Sequence, residues 1–331
     1  MSLTAGQSAL RAHAESLGLE HEIEDPVKVR VGLGLGTAMR AEDLWEVVDA
    51  SEEVGLDSLW FSERIAGEVP SPMVLMAAVA GRTQRLRFGT SAMILPGRDP
   101  IRLAKEIATL DVISGGRVIP VFGLVSSQSG DRRLLGVPRG SAGAWADEAL
   151  DLMRRLWTED NVHHEGDWFT VRGLTLGPRP VQQPHPDVWT GGHSRAAMWR
   201  AGRLATGWLP SFVPAAAYRW RAEQVMQAAA AAGRSWDLGH FGMVVPYVPP
   251  GREDAAQRAL EAVADRVVDA EVDDVVVRDP DRLTERIERY VEAGASKFVA
   301  LPLVPPDDWA AEVARVHAEV AVGLQGLRLP G

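Results

Sequence analysis

The sequence predicts a (β/α)8 barrel, and three observations predict it. Short apolar runs alternate with amphipathic helical patterns along most of the chain, the signature of strands that pair in parallel through helical crossovers. The alternation produces eight strand candidates, which favours a closed barrel over an open doubly wound sheet. The length of 331 residues suits one barrel domain, since such barrels routinely run past about 250 residues.

The elements follow in order. Residues 1 to 26 read as a helical or loose N-terminal extension ending at Pro26, and 27 to 331 as the barrel domain. Val27 to Gly36 (VKVRVGLGLG) is the first strand. Leu44, Val47, Val48 and Val54 mark a helix that Gly55 can cap. Leu56 to Ser62 is the second strand, and Pro72 to Arg82 a helix with proline in its first turn. Leu86 to Leu95, a helix from Pro100 to Leu110, and Arg117 to Leu124 carry the pattern through the fourth strand.

Trp145 to Trp157 is an amphipathic helix. Residues 160 to 186, rich in glycine, proline and aromatics, read as an insertion near the active-site rim, with a hairpin over Val162 to Val171. Asp187 to Thr190 and Thr206 to Pro210 are strands five and six, separated by the helix Ser194 to Leu204. The alanine-rich helix Ala215 to Ala232 follows, and its alanines at 228 to 232 read as helix surface. Phe241 to Val248, helices from Glu253 and from Leu283, the strand Lys297 to Leu303, and the helix Trp309 to Val322 complete the count.

Composition removes several functional classes. The net charge is -10 and no basic block stands out, so nucleic acid and anionic membrane surfaces are poor partners. With no cysteine, disulfides, thiolate metal sites and cysteine nucleophiles are absent. The first 25 residues lack the apolar core of a secretory signal, and no apolar run reaches the roughly 18 residues of a membrane span. The expected compartment is the cytoplasm.

Four motifs bear on chemistry. Gly32, Gly34 and Gly36 suggest a dinucleotide fingerprint, but G-x-G-x-x-G requires glycine where Thr37 stands. They read instead as strand glycines that admit close approach by ligand or backbone. Thr190-Gly191-Gly192-His193-Ser194 lies where a strand ends and a helix begins. Glycines there free backbone N–H groups to wrap a phosphate, and the helix N-terminus adds partial positive charge; the alternative is a tight turn with Ser194 as N-cap. A nucleophile elbow at Gly192 to Ala196 is disfavoured, because only His240 and His317 follow it. Glu63 and Arg64 end the second strand, where a barrel directs charged groups into its mouth, although a surface ion pair would read the same way. His163 and His164 fall on opposite faces of a strand and make a poor chelating pair; no metal is expected. The eleven tryptophans read as packing.

Three stretches, EEVGLDSLWFSE (52–63), RLRFGTSAMILPGRDPIRLAKEIATLDVISGGRV (85–118) and DVWTGGHSRAAMWRAGRLATGWLPS (187–211), resemble the luciferase-like monooxygenase family, in its branch that uses the deazaflavin coenzyme F420. The middle stretch is the most specific. The segments LWTEDNVHHEGDWF and GPRPVQQPHPDVW match the family's insertion.

The resemblance implies a barrel with the cofactor ring at its C-terminal mouth. It implies a cis peptide at Ser91-Ala92 behind the ring, Gly123 and Leu124 along it, and the phosphate on Thr190, Gly191, Gly192 and His193. The strand-2 acid maps onto Glu63. Many relatives carry a catalytic histidine at the next position, and here it is Arg64, a fixed cation suited to holding an anion rather than shuttling protons. After strand four the chain has Val125-Ser126-Ser127-Gln128 where relatives have further glycines or acids.

The implied function is hydride transfer between F420 and a small organic substrate. FMN-dependent monooxygenation is the alternative, and non-catalytic flavin binding a third. The resemblance also implies a homodimer, for which the early-helix residues Val74, Leu75, Met76 and Val79 offer apolar side chains.

Overall fold

The computed structural model describes residues 5–22, 27–36, 39–124, 134–136, 140–264, 267, 270–325 and 328–329. Val125-Ser126-Ser127-Gln128 and Thr37 lie outside these.

The barrel closes. Its strands are Arg30–Gly36, Ser58–Phe61, Arg87–Thr90 continuing as Met93–Ile94, Val118–Ile119 continuing as Val121–Gly123, Trp189–Thr190, Gly207–Trp208, Gly242–Tyr247 and Lys297–Pro302. Each pairs in parallel with its sequence neighbour. The last strand returns to the first, Phe298 opposite Val31. The bridges Trp208↔Phe241 and Ser211↔Val244 join strand six to strand seven.

The strands are shorter than the apolar runs suggest. Val27–Lys28 belongs to a separate antiparallel pair with Arg328–Leu329. The third run is broken at Ser91-Ala92, and the fourth at Pro120. At the second break Thr90 Oγ1 donates to Val121 O (2.7 Å) and accepts from Val121 N–H (2.9 Å), replacing the missing ladder contact.

The interior is packed, as small barrels require. Trp60, Ile119, Val121, Trp189, Leu209, Val244 and Val299 form one cluster. The strand-1 glycines serve this packing rather than a ligand. A Cβ on Gly32 would collide with Ser58 Oγ and reach within 2.8 Å of Trp60 Nε1, and one on Gly34 would meet Val299 at 2.8 Å.

At the barrel floor Lys297 and Asp57 form a buried ion pair. Burial pulls the Lys297 ammonium down. Burial also opposes charge on Asp57, but the adjacent Lys297 holds its carboxyl below the usual range. These perturbed groups lie opposite the mouth, so titration shifts alone do not mark this protein's chemistry.

The helices obey their caps. Gly55 ends its helix at φ +74°, Pro72 starts Pro72–Arg82, and Asp99 caps Pro100–Ser114 by accepting from Ile101 N–H (2.9 Å) and Arg102 N–H (3.1 Å). The last residues of the stretch between 85 and 118 work at the floor. Arg117 donates to Thr83 Oγ1 and to the carbonyls of Ala80, Thr83, Leu86 and Ser114, satisfying the carbonyl ends of two helices.

Three expectations change. Ala228 and Ala229 are fully buried, because Ala215–Ala231 lies so close to Arg195–Leu204 that a Cβ on Gly202 would come within 2.7 Å of Ala228 Cβ. Leu75, Met76 and Val79 are buried in the core and only Val74 is exposed, so that helix spends most of its apolar face within the chain. The insertion is an αβ connection and therefore springs from the floor, not the rim. Its hairpin, Val162–Glu165 with Thr170–Leu174, climbs outside Ala142–Thr158 and seats its tip against Trp145 and Glu148. No helix among the described residues is long and apolar enough to cross a membrane.

The extension supplies the helix Ala5–Ser16. Gln7 Nε2 donates to Gly294 O at 2.7 Å, which ties that helix to the turn before strand eight.

Candidate active site

The predicted site residues collect on one arc of the C-terminal mouth, because strands two to five are adjacent. Phe61 pairs with Thr90, Ile94 with Gly123, and Phe122 with Thr190. Residues scattered from Glu63 to His193 in sequence thus end four neighbouring strands.

The Ser91-Ala92 peptide is cis. Ser91 N–H donates to Phe61 O (2.8 Å), and Ser62 Oγ donates to Ser91 O (3.1 Å). Across the next strand a Cβ on Gly123 would stand 3.3 Å from Ala92 Cβ, so the lack of a side chain there keeps the two ridges close. Leu124 is 41% exposed at the lip.

The loop after strand five is a tight turn into a capped helix. Gly191 N–H is used structurally, donating to Phe122 O (2.9 Å), and Gly192 O accepts from Trp208 Nε1 (2.9 Å). Gly192 has φ +89°, a conformation that favours glycine. Ser194 caps Arg195–Leu204, its Oγ accepting from Ala197 N–H at 3.2 Å. His193 is half-buried beside it. Thr190 is 2% exposed and its Oγ1 has no hydrogen-bond partner. A buried hydroxyl left unpaired is costly in a folded chain, and this one lies just before a helix N-terminus, a place where backbone N–H groups and the helix dipole favour negative charge. The turn reading holds, since Ser194 caps this helix, and the same loop places Thr190, Gly191, Gly192 and His193 at its N-terminus.

Glu63 and Arg64 are adjacent in sequence and unlike in environment. Arg64 is exposed at the mouth. The Glu63 side chain is only 5% exposed and pairs with Arg98, not Arg64. Its Oε2 accepts from Ile94 N–H at 2.6 Å, and Arg98 Nε donates to Ile94 O at 3.0 Å. Sequence reasoning missed Arg98; the available signal was the Arg98-Asp99-Pro100 triplet preceding the third barrel helix.

His163 and His164 do not converge. His164 Nε2 lies 2.9 Å from Glu148 Oε1, whereas His163 is exposed. Among the described residues no group of three or more histidine or acidic side chains could hold a metal ion.

Comparison with known proteins agrees with this geometry. The family model described as luciferase-like monooxygenase matches residues 25–297. The chain is 29% identical over 328 residues to an F420-dependent glucose-6-phosphate dehydrogenase of Intrasporangium calvum, covering 85% of this chain and 95% of that one. It is 30% identical over 173 residues to an FMNH(2)-dependent dimethylsulfone monooxygenase of Pseudomonas putida, covering 51% of this chain and 47% of that one. A solved F420-dependent secondary alcohol dehydrogenase, in complex with an F420-acetone adduct, superposes with TM-score 0.74 at 19% identity, covering 86% of this chain and 97% of that chain, a likeness of fold. With most of its length matched by the family model, the chain belongs to the luciferase-like monooxygenase family and is an oxidoreductase on a (β/α)8 barrel.

Proposed function

We propose that this protein transfers a hydride between coenzyme F420 and a small organic substrate. The observation that carries the reading is the cradle at Thr190 to Ser194, a buried unpaired hydroxyl and a positive-φ glycine at a helix N-terminus, which fits the phosphate of a ring cofactor. The residues fit on the ring side as well. Ala92 and Gly123 form a close, side-chain-poor wall against which a flat ring can lie. When bound, the deazaflavin supplies the hydride chemistry, and the protein supplies position and electrostatics. Arg64 is exposed at the end of strand two and, as a fixed cation, would hold an anionic group of the substrate or of the reduced cofactor. The F420-dependent dehydrogenase of Intrasporangium calvum, aligned over nearly its whole length, supports the choice of F420.

FMN is the second reading, favoured by the match to the FMNH(2)-dependent enzyme; the same cradle would take its phosphate. Calorimetric titration with F420 and FMN side by side separates the two. Micromolar binding of F420 with weaker binding of FMN is the expected result, the reverse order assigns a flavin monooxygenase, and binding of neither removes the cofactor reading. We further propose a homodimer of cytoplasmic location, with exposed Val74 at the contact. A monomer mass in light scattering at micromolar protein would remove the dimer.

A further inference from the structure

Glu63 occupies the position from which a barrel mouth usually presents an acid to its substrate, yet both of its oxygens are engaged within the protein. Oε2 takes Ile94 N–H at 2.6 Å and Oε1 takes the Arg98 guanidinium. Arg98 in turn donates from Nε to Ile94 O at 3.0 Å. One ion pair therefore grips both sides of a single residue, accepting from its N–H and donating to its C=O. Ile94 belongs to the short strand immediately after Ala92, and that strand pairs with Phe122–Gly123. Leu95 N–H continues the pairing at 3.1 Å to Gly123 O.

We propose that Glu63 and Arg98 are positioning residues: a clamp that fixes the Ser91–Leu95 ridge against strand four, and with it the wall formed by Ala92 and Gly123. Glu63 acts through Arg98 and the Ile94 peptide and exchanges no proton with substrate. A carboxylate that already accepts a backbone N–H and a guanidinium is oriented toward the ridge and away from the mouth cavity. The two members carry unequal loads. Glu63 is 5% exposed and Arg98 28%, so removing Arg98 strands a nearly buried carboxylate, whereas removing Glu63 strands a cation that water can still reach. The proposal rests on the cofactor reading only for what the ridge supports; the clamp is a property of the free chain.

The experiment measures both. Hydrogen–deuterium exchange of a peptide spanning Ile94 and Leu95 is followed in the free protein and in Arg98→Ala, Arg98→Lys, Glu63→Ala and Glu63→Gln. Exchange at the Ile94 amide should accelerate at least about tenfold in both alanine variants, more in Glu63→Ala, which removes the acceptor of that N–H, with Arg98→Lys milder than Arg98→Ala, because lysine keeps the charge and loses the second donor. Peptides on strands six to eight should be unchanged. F420 titration should weaken about tenfold in the alanine variants, equivalent to about 1.4 kcal/mol. The double variant should be no worse than the more severe single variant, since the pair acts as a unit. The pH profile of kcat/KM in Glu63→Gln should keep the same limbs as the parent. Unchanged Ile94 exchange in Arg98→Ala overturns the clamp, and loss of a pH limb in Glu63→Gln overturns the positioning role in favour of proton transfer. If the parent binds neither F420 nor FMN, the cofactor reading falls while the exchange result still decides the clamp.

Discussion

The fully buried carboxylate of Asp111 holds Gln182 by two bonds, Oδ2 accepting from its backbone N–H at 3.0 Å and Oδ1 from its Nε2 at 2.5 Å. A third bond, from Val181 N–H at 2.7 Å, completes the set. One side chain on the third barrel helix thus anchors the far end of the insertion where the chain re-enters the barrel.

Asp111→Ala strips the acceptors from three donors at once. Each bond to a charged group contributes about 1.5–3 kcal/mol, but some donors will recruit water, so a loss near 3 kcal/mol is expected in urea unfolding. Asp111→Asn retains one oxygen and should cost about half as much. Equal stability of all three proteins would show that the insertion docks without this anchor.

Thr190→Val tests the cradle by separating stability from binding. Removing an unpaired buried hydroxyl while keeping its shape should leave the free protein as stable or about 1 kcal/mol more stable. On the proposed cradle, cofactor affinity should fall, because the hydroxyl would lose its place beside the phosphate. A variant that loses stability without losing affinity would mean that the hydroxyl serves the fold.

Gly192→Val forces a β-branched residue into φ +89° and brings its Cβ to 3.0 Å from Ala197 Cβ. Cofactor affinity should drop at least about tenfold, or about 1.4 kcal/mol. Calorimetry on a folded variant with parental affinity would remove the phosphate assignment.

Arg64 is exposed among the strand ends, and its substitutions discriminate binding from proton transfer. Arg64→Lys should lose much of kcat/KM, because a carboxylate or phosphate gripped by a planar fork is not gripped equally by an ammonium. Arg64→His places a titratable group there and should introduce a pH dependence near neutrality. Full activity in Arg64→Ala would reduce Arg64 to a surface residue.

The hairpin tip reports on acid. Burial opposes charge on Glu148, yet hydrogen bonds from His164, Phe169 N–H and Trp168 N–H hold its carboxyl below the ordinary 4.5. A depressed folded-state value means that the stabilisation is fully present above the unfolded-state value and is lost as pH falls through the folded one. Urea unfolding should therefore show stability declining below about pH 4.5, and Glu148→Gln should flatten that part of the decline. An unchanged pH slope in the variant would assign the acid sensitivity elsewhere.

Much of the fold was legible because barrel elements announce themselves locally. Gly55, Pro72 and Ser194 mark helix ends through backbone constraints that need no tertiary partner. The turn at Thr190 to Ser194 was legible for the same reason, since a glycine pair between a strand and a capped helix is a local backbone fact.

What tertiary structure alone decided are relationships between residues far apart in the chain. Local sequence pairs Glu63 with Arg64; folding pairs it with Arg98, because strands two and three end side by side and bring the third strand's exit loop over the carboxylate. The alanines at 228 and 229 are helix formers on any local scale, and only the close approach of Gly202 buries them. The insertion's composition suggested a rim, but connectivity starts it at the floor, since every connection from a barrel helix to the next strand begins there. Periodicity and backbone preference act within a few residues and are written in the sequence. Burial, charge pairing and the side of the barrel on which a loop emerges depend on which distant segments meet, and those contacts exist only once the sheet has closed.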